Sequence, residues 1–214
     1  MNNTTKKLTT LAMLCAMAFV VMWFIRVPVV EFLKYEPKDV IIVIGGFLFG
    51  PLAAVEVSVI TSLAEMFLVS NTGPFGLVMN IISSVSFAAV AALVYQKKRS
   101  MSGAVLGLIT GIAVMAAMMM LWNYIVTPIY MVGTSRSDVA KMLVPVFLPF
   151  NLLKGGLNAA ITMLLYKPVV TALRKARLVP ENQSKGEINI GAFVVSAIAL
   201  VGFILWMLIW KGII

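Results

Sequence analysis

Histidine is absent from this chain of 214 residues, and cysteine occurs once, as Cys15. Without histidine, zinc sites of the histidine-rich kind and the common histidine-based acid–base catalysis are excluded. A single cysteine forms no intrachain disulfide. The sequence contains no G-x-x-x-x-G-K-[ST] phosphate-binding loop and no G-x-S-x-G nucleophile elbow. We therefore expect neither ATP hydrolysis through that loop nor serine hydrolase chemistry, and the chain is predicted not to be an enzyme.

Charged residues are also scarce. They make up 12% of the chain, while 61% of the residues are hydrophobic and the mean hydropathy is +1.02. A soluble domain carries about 25% charged residues, so this composition is typical of one integral membrane domain. The net charge is +9, but the basic residues cluster at the ends of apolar spans. The expected partner of these charges is the lipid bilayer and not nucleic acid.

Seven apolar spans are predicted along the chain. They cover about residues 8–25, 40–49, 52–69, 77–95, 104–126, 144–166 and 190–210. The second and third are short for a bilayer, which requires about 20 helical residues, so we predict short tilted helices or one re-entrant segment. Between the spans we predict a loop at 26–39, a turn at 71–74, a helix end at Thr127–Pro128 and a polar loop at 133–141.

The placement of lysine and arginine predicts the orientation. With the N-terminus inside, ten basic residues face the cytoplasm and six face outward, which is the usual bias of inner loops. The segments 26–39, 70–76 and 127–143 then lie outside, at the level where the sixth span begins. These segments are therefore expected to converge on one pocket.

Four polar side chains interrupt the sixth span: Asn151, Lys154, Asn158 and Thr162. At about 100° per residue, the two asparagines and the threonine lie within roughly 40° of one another, with Lys154 some 60° to one side. An unpaired ammonium in a membrane costs several kcal/mol, so Lys154 is predicted to mark a functional site. The alternative is that its side chain snorkels to the surface, which is about 10 Å away and further than the side chain reaches.

The fifth span ends at the same level with Trp122, Asn123 and Tyr124. Asn123 donates and accepts hydrogen bonds, which suits the edge of a heteroaromatic ring or a sugar-like hydroxyl. For the aromatic residues, Tyr130 included, an interfacial belt is favoured over ligand contact. The methionines of this span are interpreted as packing residues, with an adaptable ligand surface as the alternative.

Two carboxylates and two ladders of small residues complete the inventory. Glu56 and Glu65 are nine positions apart, roughly 180° around a helix, so they do not face one reacting atom. They are interpreted as span-end anchors or partners of basic groups, and the sequence leaves open whether either pairs with Lys154. Glycines at 103, 107 and 111 form one ladder, and Ala12 with Ala16 forms another; both permit close helix approach.

Four segments of the chain form a recognisable set: Lys34-Tyr-Glu-Pro-Lys-Asp39, Gly45-Gly-Phe-Leu-Phe-Gly-Pro51, Asn123-Tyr-Ile-Val-Thr-Pro-Ile-Tyr130 and Pro149-Phe-Asn-Leu-Leu-Lys-Gly155. Together they resemble the riboflavin-specific S components of energy-coupling-factor (ECF) vitamin transporters, the RibU family. The resemblance covers about residues 5–177. It departs from the family in the lid segment, where an Asp-Phe-Ser-Asp-like sequence is expected, and in the seventh span.

The resemblance implies an all-α membrane protein, a six-helix S-component bundle to which this chain adds a seventh transmembrane helix. Residues 1–178 would form the substrate-binding domain, 179–189 a polar linker and 190–214 the added helix. The expected location is the bacterial cell membrane, with a cytoplasmic N-terminus. The expected partners are riboflavin, as bound substrate and not as a cofactor, and a T (transmembrane coupling) subunit with two ABC ATPases, joined by one monomeric S subunit.

The resemblance also implies roles for individual residues. Asn123, Asn151 and Lys154 match flavin-binding positions, the segment from Leu33 to Glu36 matches a lid loop, and Ala12 with Ala16 matches the contact with the T subunit. The full predicted substrate-binding set is Leu33, Lys34, Tyr35, Glu36, Asn80, Asn123, Tyr124, Asn151, Lys154 and Asn158.

Other functions stay open on the sequence alone. The same architecture could select another ring vitamin or flavin, such as FMN, a pterin or a thiamine-like ring. A membrane-embedded enzyme is disfavoured because histidine and a nucleophile motif are lacking. A scaffold protein would suit the small-residue ladders but gives no reason to bury Lys154 between asparagines.

Overall fold

The computed structural model describes residues 3–30, 33–70, 72–131, 133–176, 178 and 190–213, and most of these are helical. The helices are α1 (Asn3–Phe24), α2 (Lys38–Phe49), α3 (Pro51–Leu68), α4 (Gly73–Lys97), α5 (Met101–Tyr130), α6 (Arg136–Met142), α7 (Leu148–Lys175) and α8 (Ile190–Trp210), with a π-helical turn at Leu143–Phe147 before α7. The predicted all-α bundle with an additional C-terminal helix is confirmed. The predicted linker, 179–189, lies outside the described residues.

Six helical segments are long and apolar enough to cross a membrane. Within the described residues these are Thr4–Phe24, Pro51–Leu68, Gly73–Lys97, Met101–Tyr130, Arg136–Lys175 and Ile190–Trp210. The third predicted span corresponds to the 18-residue helix α3, which is one of these six segments. The second span is different, because α2 has only 12 residues and 11 of them are buried.

Helix α2 lies in the centre of the bundle and contacts α1, α3, α4 and α7. Close packing at Gly46 makes this possible, since a Cβ atom there would lie 3.0 Å from the methyl groups of both Ala54 and Ala92. The chain then reverses at Gly50, whose φ of 96° suits a residue without a side chain. The second span is thus a short interior helix that carries its polar first turn into the protein.

The glycine ladder of α5 serves packing within the chain. A Cβ atom at Gly107 would lie 2.5 Å from the carbonyl oxygen of Ala91, and one at Gly111 would lie 2.5 Å from that of Phe87. Glycine therefore lets the backbones of α4 and α5 approach closely. The ladder is accounted for by this intramolecular contact.

Three boundary predictions are wrong. Helix α5 continues through Pro128 to Tyr130, because a proline in the last turn removes only one backbone donor. The polar loop predicted at 133–141 becomes helix α6 from Arg136 onward. A capping box starts this helix, with the Ser135 hydroxyl accepting from the Asp138 amide and the Asp138 carboxylate accepting from the Ser135 amide.

The third error concerns the segment predicted as a loop at 26–39. It forms an antiparallel hairpin of β1 (Val27–Val30) and β2 (Leu33–Tyr35), in which Val27 pairs with Tyr35 and Pro28 with Lys34. Alternation places Val29 and Tyr35 in the interior and leaves Lys34 exposed. The hairpin therefore covers one end of the bundle, called the hairpin end below.

Helix α8 packs along α7 and against the hairpin. Its side chains contact a buried cluster formed by Val29 and Tyr35 of the hairpin and Phe150, Leu153 and Leu157 of α7. The contributors from α8 are Leu200, Phe203, Trp206, Met207 and Trp210. The hairpin is thus held between the bundle and the C-terminal half of α8.

Candidate functional site

A cavity of about 320 Å³ opens at the hairpin end, within the range of about 300–1,000 Å³ that small-molecule sites occupy. Its walls come from the hairpin, the junction between α3 and α4, and helices α5 and α7. Seven of the ten predicted substrate-binding residues line it: Leu33, Lys34, Glu36, Asn80, Asn123, Asn151 and Lys154. The prediction that the segments 26–39, 70–76 and 127–143 converge on one pocket, at the beginning of the sixth span, therefore holds in the structure.

Two of the lining asparagines are fixed by their own helices. The Asn151 amide nitrogen donates to the Phe147 carbonyl oxygen at 2.8 Å, and that of Asn123 donates to the Met119 carbonyl at 2.7 Å. The Asn123 carbonyl oxygen also accepts from the Thr127 hydroxyl at 3.0 Å. Each amide keeps a second N–H, and each oxygen keeps a lone pair. Both side chains are thus oriented in advance and retain hydrogen-bonding capacity.

Lys154 is buried and 8% exposed, which rules out the snorkelling alternative. Its ammonium donates to the Ser83 hydroxyl at 3.0 Å and lies 3.4 Å from the Asp39 carboxylate. Neither of the two glutamates considered as its partner contacts it: Glu56 is exposed, and Glu65 pairs with other cations. The carboxylate that faces Lys154 is therefore Asp39, in the first turn of α2.

Asp39 lies behind the cavity wall and makes three polar contacts. In addition to Lys154, it accepts hydrogen bonds from the Ser84 hydroxyl at 2.5 Å and from the Asn158 amide at 3.3 Å. The Asn158 carbonyl oxygen accepts from the Tyr35 hydroxyl at 3.0 Å. A continuous network of hydrogen bonds and one ion pair thus connects the hairpin, α2, α4 and α7.

Two of the predicted substrate-binding residues, Tyr35 and Asn158, belong to this hydrogen-bond network and do not line the cavity. Asn158 lies one layer deeper than the cavity, and Tyr35 packs in the interior of the hairpin. Burial, reinforced by the negative charge of Asp39, raises the pKa of the Tyr35 phenol above its usual range. The hydroxyl therefore stays protonated and acts as a donor to Asn158.

A second ionic cluster lies where the hairpin meets α2 and α3. Arg26 pairs with Glu36 and with Glu65, and Lys38 pairs with the same two carboxylates. Lys38 is fully buried. Of these residues only Glu36 was predicted in the site. Arg26 and Glu65 were missed because their sequence separation of 39 residues carries no local signal.

The remaining predicted residues lie elsewhere. Tyr124 is 43% exposed and does not line the cavity, because it follows Asn123 on the helix and points about 100° away. Tyr130, interpreted as a belt residue, does line the cavity, as do Met79, Met119 and Met131. Ala12 and Ala16 lie on an exposed face of α1.

The sequence of the chain matches a known protein family. The family model described as "ECF transporter, substrate-specific component" matches residues 6–166. The chain is 32% identical to "Riboflavin transporter RibU" of Staphylococcus aureus (strain TCH60), an alignment that covers 79% of this chain and 93% of that protein. It is 29% identical to "Riboflavin transporter FmnP" of Bacillus subtilis (strain 168), with 81% and 98% covered.

A solved structure gives the same result. The structure described as "Structure and mechanism of the S component of a bacterial ECF transporter" superposes with a TM-score of 0.66 at 31% identity, and it covers 80% of this chain and 99% of that one. The match of the family model ends at residue 166, so helix α8 lies outside it. This chain is a multi-pass membrane protein that belongs to the family of substrate-specific components of ECF transporters.

Proposed function

We propose that this chain is the riboflavin-binding subunit of an ECF-type importer and takes up riboflavin into a bacterial cell. The observation that carries the proposal is the cavity at the hairpin end, where Asn123, Asn151 and Lys154 converge from two helices. Two relatives matched over nearly their whole length are named riboflavin transporters, which supports the same substrate.

The chemistry of the cavity suits an isoalloxazine ring. The ring is flat and mostly apolar, with a polar pyrimidine edge of alternating donors and acceptors. The two asparagines supply matching donors and acceptors, and Lys154 supplies a charged donor for a ring carbonyl or a ribityl hydroxyl. The wall formed by Met79, Met119 and Phe150 is apolar and adaptable around the remaining ring surface.

Charge pairing in the cavity wall favours a neutral ligand over a phosphorylated one. Glu36 and Glu65 are matched by Arg26 and Lys38, and Asp39 is matched by Lys154. Lys141 pairs with Asp138 and does not line the cavity. Within the described part of the cavity, Lys34 is the basic residue without an ion-pair partner. We therefore propose that riboflavin binds more tightly than FMN.

The partners follow from the family and from one exposed surface. We propose that the chain works with a T subunit and two ABC ATPases, since its sequence contains no phosphate-binding loop for ATP. Ala12 and Ala16 form a small-residue face on α1 that is exposed in the isolated subunit, and we assign it to the T subunit. The proposed orientation has a cytoplasmic N-terminus and the hairpin end outside.

The test is the visible absorption spectrum of the protein purified in detergent, followed by titration with riboflavin. We expect a bound flavin, and we expect Asn151→Ala and Lys154→Ala each to weaken binding tenfold or more, given about 1.5–3 kcal/mol for a hydrogen bond to a charged group. Ile125→Ala, on an exposed face of α5, is the matched control and should leave affinity unchanged.

Each alternative has its own signature in this experiment. A colourless protein whose tryptophan fluorescence does not respond to riboflavin would reject the proposal, and binding of a pterin or thiamine would then identify another vitamin. Tighter binding of FMN than of riboflavin would contradict the argument from charge pairing. Failure to retain any of these ligands, together with stable purification of a partner, would favour a scaffold.

A further inference from the structure

The buried carboxylate of Asp39 lies directly behind the residue that we assign to the substrate. It is 0% exposed and is not part of the cavity surface, whereas Lys154 is. An ammonium has three N–H donors. One is donated to the Ser83 hydroxyl, and Asp39 forms an ion pair with the ammonium, which leaves donor capacity for the cavity. The two partners therefore hold the ammonium at the cavity wall.

Lys154 is buried and requires a counter-charge. A buried charge that lacks an opposite charge nearby is costly in free energy. Ser83 supplies a hydroxyl and no charge, and the other carboxylates around the cavity, Glu36 and Glu65, are already paired with Arg26 and Lys38. Asp39 is the acidic residue that faces this ammonium among the described residues, so it supplies the counter-charge.

The same carboxylate is connected to the hairpin. The oxygen that faces Lys154, Oδ2, also accepts from the Asn158 amide, and the Asn158 carbonyl oxygen in turn accepts from Tyr35 of β2. The hairpin, whose residues Leu33, Lys34 and Glu36 line the cavity, is therefore linked to the binding lysine through Asp39 and Asn158. A change in the position of the carboxylate would therefore alter the contacts of both Lys154 and the hairpin.

We propose that Asp39 is the positioning residue of the binding site: it provides the counter-charge of Lys154 and directs that side chain at the substrate, and it does so without touching the substrate itself. This inference rests on the proposed riboflavin function. The role differs from a general structural one in a testable way, because an effect exerted through Lys154 disappears when Lys154 is absent.

The experiment is a double-mutant cycle on riboflavin affinity with Asp39→Asn, Lys154→Gln and the combined variant. We expect D39N to weaken binding about tenfold in the wild-type background and to have no further effect in the K154Q background. Asp39→Glu should restore part of the affinity, since it returns the charge. Ser84→Ala, which removes another hydrogen bond to the same carboxylate, is the matched control and should have a smaller effect than D39N.

A spectroscopic readout separates positioning from loss of fold. The visible absorption band of bound riboflavin should shift in D39N toward its position in K154Q, because K154Q removes the charged donor from the ligand and D39N displaces it. Where D39N alone does not fold, K154Q and the double variant are compared, and equal affinities support the proposal. Equal weakening by D39N in both backgrounds, or an unshifted band in a folded D39N, would overturn it.

The proposed function and the role of Asp39 are rejected by different results. A wild-type protein that binds no riboflavin rejects the proposed function. Binding that is weakened by K154Q but not by D39N leaves the function intact and overturns only the role of Asp39.

Discussion

Helices α7 and α8 lie side by side and are both long enough to cross a membrane, but they differ in which side chains they bury. Helix α7 buries Asn151, Lys154, Asn158 and Thr162. Among the described residues of α8, only Ser196 is buried, and most of its large apolar side chains are exposed. A membrane helix with polar side chains requires hydrogen-bonding or charged partners from neighbouring helices, whereas an apolar helix is stable in contact with lipid. The difference indicates that the chemistry belongs to α7 and that α8 acts by packing alone.

The largest expected effect comes from removing the buried charge of α7, Lys154. Lys154→Met leaves the Asp39 carboxylate buried without its cation, and breaking a buried pair in this way costs about 3–5 kcal/mol. The measurement is the free energy of unfolding in detergent, followed by tryptophan fluorescence. Adding Asp39→Asn removes the orphaned charge as well and should restore most of the stability. A single variant as stable as the wild type would contradict the importance of the pair.

The contact between the two helices provides the next test. A Cβ atom at Gly156 of α7 would lie 2.2 Å from the ring of Phe203 of α8, so Gly156→Ala forces the ring to move. We expect a loss of about 1–3 kcal/mol, as for other overpacked sites, measured by thermal unfolding. Phe203→Ala in the same chain should relieve the clash.

Gly202 of α8 is the matched control for this substitution. It is also a helical glycine, but no atom lies within 4 Å of a Cβ placed there. Gly202→Ala is therefore expected to be neutral or to stabilise by up to about 1 kcal/mol through helix propensity. Equal destabilisation by both substitutions would mean that the close contact at Gly156 is not the cause.

Deletion of α8 tests whether this helix contributes to riboflavin binding. No described residue of α8 lines the cavity, so a chain ending at residue 178 should still recognise riboflavin. It loses the side chains that hold Val29 and Tyr35 of the hairpin in place, however. We expect the dissociation rate of riboflavin to rise several-fold, measured by stopped-flow fluorescence. An unchanged rate would show that the hairpin is held by its ion pairs alone, and loss of recognition would place α8 in the site.

The smallest effect is expected on the outer face of α8. Ile198 is 67% exposed, and Ile198→Ala should change the free energy of unfolding by less than about 0.5 kcal/mol. The measurement is the same thermal unfolding series as for Gly156. A large loss at Ile198 would mean that this face packs against protein and not against lipid.

Prediction from sequence succeeded where the signal is local. The membrane class, the long spans and the polar stripe of Asn151 and Lys154 follow from composition and from the helical period, which act over a few residues. Boundaries were less accurate: Pro128 did not end α5, and Ser135 with Asp138 began an unexpected helix. Caps and late prolines shift helix ends by small energies that a hydropathy pattern does not contain.

Composition and helical period are therefore enough to predict a bundle of membrane helices with a polar segment that requires partners. The identity of those partners depends on how the helices pack. The bond from Asn158 to Asp39 spans 119 residues, and the pairing of Lys38 with Glu65 depends on how α2 packs against α3. A buried ammonium requires a counter-charge, but which carboxylate supplies it depends on the packing of several helices at once.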